Sequence, residues 1–148
     1  MRNSIVIAAS REQVFAVLDD AEEYPNWVVG ARRIRSVDRR WPRVGSRFHH
    51  AIGVPGAELK DSSEVLERNP PHLIELEVRF RPGGVALVRL QVKKLRRGRA
   101  RVTIVERLTG GPLNRLPRIV TEPAIGVRNV WALRRLRRLV EERVVEAA

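Results

Sequence analysis

Four polar residues lie at positions where the pattern of the sequence predicts an apolar face. His50 falls on the same side as Phe48 in one alternating segment, and Asp61, Ser63 and Glu106 share sides with aliphatic residues in two later segments. Successive side chains of a β-strand point to opposite faces, so we expect these four to point into the interior. An unpaired buried polar group costs about 1–3 kcal/mol, and a buried charge costs more. Each of the four therefore requires a partner, a water molecule or a ligand.

His50 is the candidate catalytic residue. A turn predicted at Gly53–Gly56 would make the strands of His50 and Asp61 a hairpin, with either Leu59 or Asp61 directly opposite His50. A His–Asp contact would raise the pKa of the imidazole and select its tautomer, as a general base requires. The simpler interpretation is a satisfied wall residue or a hydrogen-bond donor to a ligand. We favour it, because the spacing specifies no second catalytic group.

Glu106 has two interpretations, which the sequence leaves open. It could pair across strands with an arginine such as Arg89, or it could hold the hydroxyl or amine of a ligand. No metal site is expected, because His49 and His50 point to opposite faces and His72 is the only other histidine. The sequence contains no Gly-rich phosphate loop, so no cofactor is expected either.

Composition and charge narrow the classes of function. The 148 residues include no cysteine, which excludes a disulfide scaffold and a thiol nucleophile. The net charge is +12, and only three of the 29 basic residues are lysine. The arginines concentrate in the segments 32–47, 93–101 and 134–138, a pattern that fits either an arginine-rich composition or a polyanionic partner. The basic runs lack interleaved aromatic residues apart from Trp41, so we do not expect nucleic acid as the partner, whereas an anionic membrane surface remains an alternative.

The chain starts without a signal-peptide pattern, and its apolar runs are shorter than the roughly 20 residues of a membrane span. We therefore expect a soluble, cytoplasmic protein of one domain over residues 1–148, either a monomer or a homodimer.

The elements that would position these residues begin with a strand at Ile5–Ala9. Ser10 and Gln13 then form a capping box that begins a helix with an apolar face. A second short helical turn follows through Glu22 and Glu23, and we expect Pro25 to end it.

From residue 32 onward the hydrophobic period changes from 3.6 to two. Turn residues separate six segments of alternating character, which predicts an antiparallel meander. The predicted strands are Arg33–Arg39, Ser46–Ile52, Leu59–Leu66, Leu73–Phe80, Ala86–Lys94 and Arg99–Leu108.

A long helix is predicted over Val127–Val144, after a segment interrupted by Pro117 and Pro123. Its predicted apolar stripe consists of Val130, Leu133, Leu136, Val140 and Val144, with Trp131 at the border and directed inward. The fold class is therefore α+β: a curved antiparallel sheet of about seven strands, two short helices after the first strand, and a C-terminal helix across the sheet. A sheet curved around that helix would enclose an elongated apolar cavity.

The N-terminal segment also supports a family resemblance. The motif Ile5-x-Ile7-x-Ala9-Ser10-x-Glu12-x-Val14-Phe15-x-Val17-Leu18-Asp19, followed by Tyr24-Pro25-x-Trp27, resembles the START-related SRPBCC superfamily, in particular its polyketide cyclase/dehydrase and lipid-transport-like branch. The similarity extends from about residue 5 to residue 143. It implies the helix-grip architecture and a cavity for an apolar or amphipathic molecule. Trp27 would then pack under the short helices or cover the cavity.

We therefore expect the protein to bind or transport a hydrophobic or amphipathic small molecule, such as a lipid or a polyketide-like compound. The alternative is a polyketide cyclase/aromatase-type enzyme that uses His50, and a second alternative is nucleic-acid or anionic-membrane binding through the arginine clusters. The predicted ligand-binding residues are Trp27, Phe48, His50, Ile52, Asp61, Leu76, Val78, Phe80, Val88, Leu90, Val102, Ile104, Glu106 and Trp131.

Overall fold

The computed structural model describes residues 1–54 and 56–148, so Pro55, in the turn predicted at 53–56, lies outside the described residues. The first strand, β1, spans Arg2–Ile7, and helix α1 spans Arg11–Leu18. Ser10 caps α1 as predicted: its hydroxyl accepts from the Gln13 backbone N–H at 3.1 Å, and the Gln13 side chain accepts from the Ser10 N–H at 2.9 Å. The apolar face of α1 is buried, as its spacing indicated.

The second helical piece differs from the prediction at its proline. A 3₁₀ turn at Ala21–Glu23 leads into helix α2, Tyr24–Trp27. Pro25 lies in the first turn of α2 and does not end a helix. The missing N–H of a proline costs nothing in a first turn, where it would have no intrahelical partner, and its restricted φ suits a helix start. Trp27, at the end of α2, is consequently directed inward and is almost fully buried.

The sheet has the predicted meander topology. Its remaining strands are β2 (Ala31–Val37), β3 (Arg47–Val54), β4 (Ala57–Asn69), β5 (Leu73–Phe80), β6 (Gly84–Lys94) and β7 (Ala100–Gly110). Within the described residues, the seven strands follow the order β1-β7-β6-β5-β4-β3-β2 with antiparallel pairing. The register places His50 opposite Asp61 and Val88 opposite Glu106, so all four side chains belong to the inner face.

The C-terminal helix is longer than predicted. After a 3₁₀ turn at Pro112–Arg115, helix α3 spans Arg118–Ala147 and contains Pro123. Proline removes one intrahelical hydrogen bond, here to the carbonyl of Ile119. Ile119 is exposed, so water can bond that carbonyl and the helix continues through the proline.

The rotation of α3 also differs from the prediction. Its buried residues are Gly126, Asn129, Ala132, Leu133, Leu136 and Val140. Leu133, Leu136 and Val140 are confirmed as inward residues, but Val130 is exposed. The predicted stripe was wrong at its N-terminal end, because the apolar residues on both sides of α3 obscured which side faces the sheet.

The core lies between the inner face of the sheet, the helices α1 and α2, and α3. The architecture is α+β and helix-grip-like, as expected. In the part of the chain that the structure describes, none of the helices is long and apolar enough to cross a bilayer.

Candidate functional site

A cavity of about 160 Å³ lies between α2, the inner face of the sheet and the N-terminal half of α3. Its wall is mostly apolar, and strand alternation identified most of it. The predicted site residues that line the cavity are Trp27, Phe48, His50, Ile52, Leu76, Val78, Phe80, Val88, Leu90, Ile104 and Glu106.

Part of the wall was not among the predicted site residues. This part consists of Tyr24, Val28, Val29, Gly30, Ala31, Ile34, Arg128, Asn129 and Ala132. Ser63, which was predicted to point inward but was not among the ligand-binding residues, also lines the cavity. The stretch 28–31 follows a four-residue helix and lacks a hydrophobic period, so no pattern pointed to it. A signal did exist on α3, where Gly126, Asn129 and Ala132 recur every three residues and leave a strip of small and polar side chains within an arginine-rich helix.

Two predicted lining residues lie elsewhere. Trp131 is 55% exposed on the outer side of α3 and does not line the cavity, because the helix is rotated relative to the predicted stripe. Val102 does point inward, but it is fully buried within the packed part of the core. The prediction that Val102 points inward is therefore confirmed, and the prediction that it lines the cavity was wrong.

Asp61 is also absent from the cavity wall, although it lies directly opposite His50. Its carboxylate accepts hydrogen bonds from the backbone N–H groups of Ser62 at 2.9 Å and Arg81 at 2.8 Å, and from the Arg81 guanidinium at 3.1 Å. Burial alone would raise the pKa of Asp61, but the hydrogen bonds from Arg81 and Ser62 outweigh burial and lower it. The carboxylate is thus occupied by Arg81 and does not orient the imidazole.

His50 is 4% exposed, and its ring lies 5.7 Å from that of Phe48, measured between centroids. Neither ring nitrogen has a hydrogen-bond partner among the described residues. Burial lowers the pKa of His50, and the Ser62 backbone and the Asp61 charge only partly offset this effect. The His50–Asp61 hydrogen bond that would have raised this pKa does not form. A neutral imidazole faces the cavity with one nitrogen as donor and the other as acceptor.

The side chain of Glu106 pairs with a residue of α3 and not with a residue of the sheet. One carboxylate oxygen, Oε1, accepts from the guanidinium of Arg128, and the other, Oε2, is buried without a partner in the described part of the chain. Arg89, the example of a cross-strand partner in one of the two interpretations, instead bonds Glu75 at 3.1 Å. Arg89 is paired with Glu75 and Val105 on the outer face of the sheet, whereas Glu106 points inward.

Two further polar groups at the cavity lack partners. The indole Nε1 of Trp27 and the amide Nδ2 of Asn129 are both buried donors without an acceptor among residues 1–54 and 56–148. Together with His50 and Glu106, they give the apolar wall two donors, one acceptor and one group that can act as either. A few unpaired polar groups in an otherwise apolar wall are typical of a site that orients an amphipathic molecule.

A second hollow of about 280 Å³ adjoins the cavity at the N-terminal end of α3. It is lined by Phe80, Glu106, Leu108, Leu113, Leu116, Val120, Thr121, Ala124, Ile125 and Arg128. Phe80, Glu106 and Arg128 line both spaces, so the Glu106–Arg128 pair stands where they meet. No group of three or more His, Asp or Glu side chains in the described ranges is arranged to hold a metal ion.

Solved structures with the same architecture include an aromatase/cyclase. The Zhui aromatase/cyclase from Streptomyces sp. R1128 matches with a TM-score of 0.76 at 16% identity, over 97% of this chain and 94% of that chain. A START superfamily protein from Mycobacterium smegmatis matches with a TM-score of 0.68 at 15% identity, over 100% and 98% of the two chains. A protein from Chromobacterium violaceum gives a TM-score of 0.70 at 21% identity, over 95% and 96%. At these identities the likeness establishes the fold alone.

No curated protein matches the sequence. The profile of one family, described as polyketide cyclase/dehydrase and lipid transport, matches residues 1–142. The chain therefore belongs to the polyketide cyclase/dehydrase and lipid-transport family.

Proposed function

We propose that the protein binds a small hydrophobic or amphipathic molecule in the cavity between α2, α3 and the sheet. The observation that carries this proposal is an apolar wall in which Trp27, His50, Glu106 and Asn129 carry buried polar atoms that have no partner among the described residues. Leaving such atoms unpaired costs stability, and a bound ligand would recover that cost. Family membership supports the proposal at the level of a ligand-binding fold.

The volume of the cavity indicates the size of the ligand part that it would hold. A dry protein cavity of about 150 Å³ accommodates benzene, so about 160 Å³ suits a single ring. Longer molecules would extend into the adjoining hollow of about 280 Å³.

The test uses native mass spectrometry of the purified protein, followed by NMR titration of delipidated protein with one-ring aromatic probes. We expect the methyl signals of Ile104 and Leu90 at the cavity to shift, whereas those of Leu136 in the packed core stay unchanged. Ala132→Leu, which adds a side chain at the cavity wall, should abolish the shifts. Absence of a co-purified molecule together with unshifted Ile104 and Leu90 signals would contradict the proposal.

His50 supports a second candidate, a cyclase/aromatase-type enzyme. Its neutral imidazole faces an apolar cavity with both nitrogens free of partners in the described chain, as a proton-transferring group would require. The test is turnover of a polyketide mimic by His50→Ala. Loss of turnover with retained ligand affinity would support the enzyme, and unchanged turnover would remove His50 from the chemistry.

The outer side of α3 supports docking on an anionic membrane surface as an accompanying role. Val127 and Trp131 are exposed one turn apart, and Arg134 and Arg138 continue the same side. Apolar side chains flanked by arginines suit the interface of an anionic bilayer.

The membrane test is co-sedimentation with phosphatidylcholine vesicles, with and without phosphatidylglycerol. We expect binding only to the anionic vesicles, with a blue shift of Trp131 emission. Trp131→Ser should weaken it, whereas the charge-reducing variant Lys93→Gln, on the β6–β7 side, should have little effect. Salt-dependent binding to duplex DNA, without binding to vesicles, would favour the nucleic-acid alternative.

A further inference from the structure

We infer that Glu106, held by Arg128, forms a subsite that selects ligands carrying a neutral hydrogen-bond donor, such as an alcohol or a phenol. This inference deepens the proposed function and rests on it. It predicts discrimination between ligands of equal size that differ in one polar group.

The subsite is built from two elements that meet only in the folded chain. Glu106, on β7, is 3% exposed, and its Oε1 accepts from the Nη2 of Arg128 on α3. Its Oε2 is buried at the cavity and has no partner within residues 1–54 and 56–148. The pair thus leaves one acceptor without a partner in the described chain, on a residue that lines the space a ligand would occupy.

The chemistry of a carboxylate decides which ligand group fits this acceptor. An ionised carboxylate only accepts hydrogen bonds, so a ligand must donate one to satisfy Oε2. A hydrocarbon would leave Oε2 desolvated and unpaired. A ligand carboxylate would bring a second negative charge and no donor. Arg128 already balances the charge of Glu106, so a neutral donor suffices and a cation is not required.

The position of the subsite indicates how the ligand would lie. Phe80, Glu106 and Arg128 line both the inner cavity and the adjoining hollow. Arg128 is partly exposed, so the pair stands at the mouth of the cavity. A bound phenol would therefore place its hydroxyl at the mouth and its ring inside, near Leu90 and Ile104.

The experiment compares phenol, toluene and benzoate, which share one ring, by calorimetric and NMR titration at pH 7. Phenol and toluene have nearly the same shape, and phenol is neutral at this pH. A hydrogen bond to a charged group stabilises enough to give phenol roughly 10- to 100-fold tighter binding than toluene. Benzoate should bind more weakly than either.

Glu106→Gln tests the residue itself. The amide carbonyl can still accept from Arg128, while its NH₂ replaces Oε2 with a donor. We expect the preference for phenol over toluene to disappear and benzonitrile, which only accepts, to gain affinity. The matched control is Glu75→Gln on the outer face of the sheet, which should retain the wild-type preference.

The outcomes separate the subsite from the proposed function. Wild-type protein that binds toluene as tightly as phenol would overturn the subsite while leaving cavity binding intact. A preference for phenol that persists in Glu106→Gln would also overturn it, because another group would then hold the hydroxyl. If neither compound shifts the Ile104 and Leu90 methyl signals, the proposed cavity binding itself fails. The comparison of phenol with toluene on the wild-type protein tests the subsite even if Glu106→Gln folds poorly.

Discussion

The two halves of α3 cover two different interiors. The C-terminal half carries Leu133, Leu136 and Val140, which pack with β1 and α1 into a solid core. The N-terminal half carries Asn129 and Ala132 on the same side and covers the cavity. One continuous helix thus spans both regions, and the size of its inward side chains determines where space remains. The packed half is expected to carry stability, and the hollow half to carry recognition.

Truncation at the packed half should have the largest effect. Leu136 is fully buried, so Leu136→Ala should lower the free energy of unfolding by about 2–5 kcal/mol through lost burial and a new cavity. Urea denaturation measures the change, and probe binding at the cavity should persist where the variant is folded. Val127→Ala on the exposed side of α3 is the control and should change stability by less than about 0.5 kcal/mol. Equal effects at both positions would contradict the assignment of Leu136 to a packed core.

Adding volume should also distinguish the packed interior from the cavity. Ala100 is fully buried in the packed core, so Ala100→Leu should cost about 1–3 kcal/mol through overpacking. Ala132→Leu adds the same atoms beside the cavity and should cost less than Ala100→Leu, because space is available there. Thermal unfolding of the two variants measures the difference. A larger loss at Ala132 would mean that the space is not available to a side chain.

The buried carboxylate of Asp61 should contribute a pH-dependent stability. The pKa of Asp61 is lowered in the folded protein, so its contribution is present above its unfolded pKa of about 4 and is lost as pH falls through the folded pKa. Asp61→Asn should cost about 1–3 kcal/mol at pH 7 and flatten the loss of stability below pH 4. Denaturation midpoints from pH 7 to pH 2.5 measure it. If Asp61→Asn loses stability below pH 4 as steeply as the wild type does, Asp61 is not the source of that loss.

His50 should give the smallest effect, within a different range of pH. Burial lowers its folded pKa, so the unfolded chain binds the proton more readily and stability falls as pH drops below about 6.5. The slope cannot exceed about 1.4 kcal/mol per pH unit for one group. His50→Leu should remove this slope between pH 6.5 and 5, and His49→Leu is the control on the outer face. Imidazole NMR signals of His50 that titrate above pH 6.5 would contradict the assignment.

Local patterns predicted the sheet better than they predicted the site. The strand Leu73–Phe80 has its predicted bounds, and the Ser10 cap forms, because alternation and capping depend on neighbouring residues. The partners of the inward polar groups depend on distant residues. Glu106 pairs with Arg128 of α3, and Asp61 pairs with Arg81, which directly follows β5. Each pair joins two elements, so the pattern within a single element could not predict it.

The rotation of α3 was ambiguous for a related reason. Val130 and Trp131 continue the hydrophobic period beyond the buried side, so periodicity alone favoured a stripe that includes Val130 and has Trp131 at its border. The inner side at the hollow carries small and polar residues, which an apolar stripe does not reveal. A surface that encloses empty space gives a weaker hydrophobic signal than one that packs, so the site was harder to predict than the fold.

The tryptophans sample three distinct surroundings. Trp27 lies in the cavity wall, Trp41 stacks edge-on against Phe48 at 5.0 Å between centroids, and Trp131 faces solvent. A water-borne quencher such as iodide should therefore extinguish chiefly the emission of Trp131, while occupancy of the cavity should alter that of Trp27. The fluorescence of Trp131 should therefore report on the outer side of α3, and that of Trp27 on the cavity that α3 covers.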